Sequence, residues 1–119
     1  MHVNQPIFQQ IMDIIESDII TGVYQADELV ISTTQIAGVY SVNPTTAVKA
    51  IGKLADAGIL YKKRGIGMCV ARGAREKIIE RRRDVFFNQT ISALVAESDT
   101  LGISTEELIT EIKKRSKTL

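Results

Sequence analysis

Three short runs hold the side chains with chemical reach. "NPTT" spans Asn43, Pro44, Thr45 and Thr46, and Lys49 and Lys53 follow four residues apart. Amides and hydroxyls on short stems suit close-range bonds to phosphate oxygens or base edges, and cations at that spacing share one helix face. "KKRG" at 62–65 sets three cations against Gly65, whose missing side chain permits a tight reversal and a close backbone approach. "STT" at 32–34 adds Ser32 and Thr34. This is the chemistry of non-covalent recognition, directed at a polyanion.

Covalent chemistry finds no such grouping. No nucleophile stands with a credible base, "RGIG" is too short for a phosphate-cradling glycine loop, and no enzyme activity is expected. The single Cys69 cannot form an internal disulfide, and with the single His2 it makes no metal-ligand set, so no metal or other cofactor is expected. Cys69 alternates with Met68 and Val70 and reads as a small core residue. "MHVNQPIFQQ" has no basic region followed by an apolar one, and no apolar run approaches the roughly 18 residues of a membrane span, so the expected location is the cytoplasm.

The 119 residues have a composition close to the globular average, 45% hydrophobic and 24% charged, and a net charge of only +1. That near-neutrality conceals a polarity along the chain. Residues 1–31 contain five acidic residues and no Lys or Arg, whereas residues 62–83 contain nine basic residues and two acidic ones. A neutral protein whose positive charge is gathered in one segment still attracts a polyanion through that segment.

The surrounding pattern supplies elements to position these groups. Ile7, Phe8, Ile11, Ile14, Ile15, Ile19 and Ile20 recur at helical intervals between Pro6, suited to a first turn, and Gly22, suited to an end. An extended piece, "ELVIS", leads to a short helix capped by Ser32. A third helix starts at Asn43 and Pro44, buries Ala47, Ala50, Ile51 and Leu54, and stops at Gly58. Its free first-turn N–H groups are expected to favour an anion. "ILYK" and "MCVA" flank "KRGIG" as a β-hairpin. One long helix is then expected, followed by a last helix that Ser104 and Glu107 open as a capping box. Phe86, Phe87, Ile91, Leu94, Val95, Leu108, Ile109 and Ile112 exceed what two helices bury alone and are expected to close a homodimer interface, with packing on the N-terminal domain as the alternative. Arg81, Arg82 and Arg83 read as a solvated helix face.

Three helices with a hairpin after the third give a mainly α fold with a small β-hairpin: a winged helix-turn-helix domain over 1–72 and a short two-helix dimerisation unit over 73–119. "PIFQQI", "ELVIS", "VNPTT", "LADAGIL" and the glycine-containing turn occur in that order, and residues 5–71 closely resemble the DNA-binding domain of GntR-family bacterial regulators. The short remainder and "VNPTT" resemble the YtrA subfamily. The resemblance implies a homodimeric, repressor-like regulator on a palindromic double-stranded DNA operator. It also implies DNA contacts from Asn43, Thr45 and Thr46 at the helix start and from Arg64 and Gly65 at the wing, with Ser32 leading the second helix as in the family. Thr34, Pro44 and Val48 stand where many relatives carry arginines. Those departures keep open an alternative, a winged-helix protein-interaction module that has lost DNA binding. No cluster specifies a small-molecule effector.

Overall fold

The computed structural model describes residues 5–116; His2 and its neighbours up to Asn4, and residues 117–119, lie outside the described residues. Two compact units make up the chain, Met1–Glu80 and Arg81–Leu119.

Pro6 fixes where the first helix begins. It supplies the N-cap of α1, Ile7–Ile20, and accepts from the N–H groups of Gln9 and Gln10. The face α1 buries differs in detail from the expected isoleucine stripe. Ile11, Met12, Ile15, Glu16 and Ile19 are buried, while Ile7 is 50% exposed. The stripe is rotated so that Met12 and the carboxylate of Glu16 go inward, which removes one of the five N-terminal acids from the surface.

Helix α2, Thr33–Val39, and α3, Pro44–Asp56, follow, and α3 packs against both α1 and α2. Ala47, Ala50 and Leu54 are fully buried and Ile51 nearly so, as the spacing requires. Two small alanines on this stripe let neighbouring helices approach closely, and the larger Ile36 and Leu54 fill what remains. Gly58 ends α3 at φ +76°, a conformation that disfavours any side chain, and a Cβ there would lie 2.8 Å from the Lys77 Nζ.

Strands β1, Leu60–Lys63, and β2, Gly67–Val70, pair antiparallel with Tyr61 opposite Cys69 and Lys63 opposite Gly67. The "ELVIS" piece joins the other edge of β2. Val30 N–H donates to Met68 O at 2.9 Å, Val70 N–H to Glu28 O at 3.0 Å, and Leu29 bridges to Cys69. Both edges of β2 are thus occupied, and Cys69 and Val70 are buried between the layers. The first unit closes with the opening turns of α4, Ala74–Val85, whose Ala74 and Ile78 belong to the same core. This explains why the units divide between Glu80 and Arg81, beyond the hairpin's end at Val70 and beyond the boundary expected at residue 72.

The second unit holds the end of α4, a π-helical stretch Phe86–Ile91, α5, Ser92–Thr100, and α6, Thr105–Arg115. Where the sequence reads as one plain long helix, the structure has this wider turn in it. Gly102 turns the chain between α5 and α6, and Ser104 caps α6 by accepting from Glu107 N–H at 3.1 Å. Among the described residues no helix is long and apolar enough to cross a membrane.

Candidate nucleic-acid interface

Helix α2 is positioned by a reciprocal cap. Ser32 Oγ accepts from Gln35 N–H at 3.1 Å, and Gln35 Oε1 accepts from Ser32 N–H at 3.0 Å. The serine is therefore occupied in building the helix, and Thr34, in the first turn, is exposed. Between α2 and α3 the chain reverses at Ser41, which adopts φ +52° without being glycine.

The start of α3 corrects one expectation. Asn43 Oδ1 accepts from Thr45 N–H at 2.9 Å and from the Thr45 hydroxyl, while Asn43 O accepts from Thr46 N–H at 2.9 Å and Ala47 N–H at 3.3 Å. Pro44 has no N–H to offer. The first-turn donors predicted to favour an anion are already bonded within the turn. With its proton given to Asn43, the Thr45 hydroxyl has lone pairs to offer a donor and no proton to offer a phosphate oxygen, which only accepts.

Beyond that turn, Thr45, Val48, Lys49, Gly52 and Lys53 are exposed, whereas Thr46 is half-buried. The two lysines are not free over solvent. Lys49 Nζ lies 4.1 Å from the centroid of the Phe8 ring and Lys53 Nζ 5.6 Å, so both cations gather on the α1 side of α3. Phe8 is a positioning residue that the sequence reading assigned only to the core. Its partners stand 41 and 45 residues further along the chain, and only the packing of α1 on α3 brings them together.

At the wing, Ile66 N–H donates to Lys63 O at 3.0 Å and Gly65 takes φ +78°, which forms the tight turn the glycine predicts. Lys62, Lys63, Arg64 and Gly65 are all exposed. Arg72 belongs to the same basic segment but is otherwise engaged: its Nε donates to Asp27 Oδ2 at 3.0 Å while Tyr61 Oη donates to Asp27 Oδ1 at 2.8 Å. The Tyr61 hydroxyl, then Arg72, hold the Asp27 carboxyl below its ordinary range; Asp27 in turn pushes the Tyr61 hydroxyl and the Arg72 guanidinium up. Asp27 sits at φ +67°, a strained choice for most side chains but one Asp tolerates. No motif pointed to this junction, although an aspartate between "GVYQA" and "ELV" was a visible turn signal.

In the second unit, the residues expected at a dimer interface remain on the surface. Phe86, Phe87, Leu94, Val95, Ile109 and Ile112 are exposed by 40–54%, and Ile91 and Leu108 are half-buried. Ser98, whose hydroxyl donates to Leu94 O at 2.8 Å, is the buried residue of α5, and α6 buries none. Phe86 and Phe87 meet edge to face with centroids 5.6 Å apart, and the Arg83 guanidinium lies 5.6 Å from the Phe87 ring.

This order of capped helices, basic wing and apolar helical unit has close solved counterparts. A GntR family transcriptional regulator from Listeria monocytogenes is 30% identical, with a TM-score of 0.74 over 98% of this chain and 100% of that one. The chain belongs to the GntR family. Among curated proteins, the HTH-type transcriptional repressor YtrA of Bacillus subtilis is 25% identical over 93% of this chain and 85% of that protein, so the YtrA likeness read from "VNPTT" extends beyond the wing. The DNA-binding domain of AraR, solved in complex with its operator ORR3, is 30% identical with a TM-score of 0.55, covering 60% of this chain and 86% of that one. No family model matches the chain. Within this GntR-family fold, α2 and α3 form the helix-turn-helix and β1 and β2 the wing.

Proposed function

We propose that this GntR-family chain is a cytoplasmic, homodimeric repressor that binds a palindromic operator. Helix α3 enters the major groove, the wing lies at the minor groove, and the second unit pairs the protomers. The carrying observation is the coincidence, on one unit, of an exposed polar turn at Thr45 with a wing whose Lys62, Lys63 and Arg64 are all exposed. The AraR domain, of the same fold, was solved on an operator, which supports the reading. Lys49, Lys53 and Arg64 supply the phosphate contacts, Gly65 lets the wing backbone approach, and Thr34 and Thr46 add shorter polar groups at the rim. Asn43 and Ser32 act by holding the two helix starts. On this assignment residues 1–72 read DNA and residues 73–119 carry the dimer contacts of Phe86, Phe87, Ile91, Leu94, Val95, Leu108, Ile109 and Ile112.

Fluorescence anisotropy on promoter DNA at several salt concentrations tests it. A Thr45→Ala, Thr46→Ala double variant should lose selectivity between operator and random duplex. Arg64→Ala should weaken both and reduce the slope of log affinity against log salt by about one. Binding by the double variant as tight and as selective as wild type would remove α3 from the interface.

One observation favours the second reading, a protein-interaction module. The lysines of α3 rest on Phe8 and its first-turn donors are spent, so α3 offers few free donors. An unbiased selection that enriches no duplex, together with a stable protein partner in pull-down, would establish that alternative.

A further inference from the structure

Val48, a β-branched apolar side chain, is 56% exposed on the second turn of α3. Its neighbours along that side are Thr45 before it and Gly52 after it, at the spacing that aligns helical residues. A Cβ built on Gly52 meets nothing within 4 Å, so the surface beside Val48 is open and low. The Thr45 hydroxyl is turned toward Asn43, and the two lysines are drawn to Phe8 on the α1 side. What the Thr45–Val48–Gly52 side of α3 presents is therefore methyl groups with one hydroxyl oxygen. Asp56, exposed one turn past Gly52, puts a negative charge at the far end of this side of the helix, so the base edges meet its N-terminal half while Lys53 stays on the α1 side.

Resting on the DNA-binding reading above, we infer that Val48 is a specificity-determining residue that reads the C5-methyl group of thymine in the major groove. A valine has no donor for the guanine O6 and N7 edge and no acceptor for the cytosine or adenine amino groups. The thymine methyl is the apolar feature a base pair presents in that groove. Gly52 admits the duplex close enough for methyl-to-methyl contact, and the Thr45 oxygen can accept from an amino group on the adjoining base pair. The operator preferred by this chain then has a thymine at one position in each half-site.

The test uses the full-length chain and duplexes it selects from a random library. Each thymine of the selected sequence is replaced in turn by deoxyuridine, which removes the methyl and nothing else, and binding is followed by anisotropy. Wild type should lose about fourfold per half-site at one position, the effect of uncovering one methyl group. Val48→Ala, which folds normally because its side chain is on the surface, should bind thymine and deoxyuridine duplexes alike at that position. Wild-type binding indifferent to deoxyuridine everywhere overturns the inference while leaving DNA binding intact. Equal losses in wild type and Val48→Ala also overturn it, because another residue would then read the methyl. A library that yields no enriched duplex overturns it together with the DNA-binding reading itself.

Discussion

Asp27 shows how much a single side chain outside any motif can organise. Its carboxylate takes the Tyr61 hydroxyl from β1 and the Arg72 guanidinium from two residues past β2, and its own N–H donates to Val70 O at 2.8 Å. Three points distant in sequence are thereby fixed at the root of the wing. A carboxyl held below its ordinary value of 3.8 contributes stability that is complete above that value and is lost as pH falls through the folded-state pKa. Asp27→Asn keeps a residue that tolerates positive φ but removes the charge. Thermal melts from pH 7 down to pH 2 should show wild type losing its advantage over Asp27→Asn in the acid range below about pH 4. An equal difference between the two at every pH would assign the junction to shape rather than charge.

The elements were legible to the degree that their signals are local. Pro6, Asn43–Pro44, Ser32 and Ser104 each mark a helix start where the structure has one, and the Ala47, Ala50, Ile51, Leu54 stripe is buried as spaced. Phe8 beneath two lysines was not legible, because it depends on how α1 crosses α3. Nor was the π-helical stretch, since "FFNQTI" has no composition that distinguishes a wide turn from a regular one. In a plain α-helix, eight residues would carry Phe86 and Leu94 about 80° apart, whereas a turn that absorbs roughly one extra residue brings them within about 30°. The wide turn therefore brings Phe86 into line with Leu94, and Phe87 with Val95. Inserting an alanine after Asn88 should swing Leu94 and Val95 by about 100° relative to the phenylalanines and scatter those alignments. On the proposed pairing, sedimentation equilibrium should then show a homodimer dissociation constant raised by at least about tenfold, with helical circular dichroism preserved. An unchanged dissociation constant would separate pairing from the π turn.

At the scale of the molecule, the two units divide the work by chemistry. The first has a closed apolar core running from Ile11 to Ile78 and offers its surroundings polar and basic groups. The second keeps large apolar side chains on its surface and is suited to a partner of the same kind, so on the proposed function two reading heads are held at the spacing of a palindrome. The core of the first unit contains the chain's only thiol, Cys69, 1% exposed and flanked on both sides by paired backbone. Because no other cysteine competes, an alkylating reagent added to the native protein waits for the wing to part from "ELVIS", and its rate becomes a clock for that opening. Operator DNA that holds the wing should slow the clock, while random duplex at the same concentration should leave it nearly unchanged. Mass spectrometry of the intact chain at timed quenches would read both rates, and equal rates would mean that the wing opens as freely on the operator as off it.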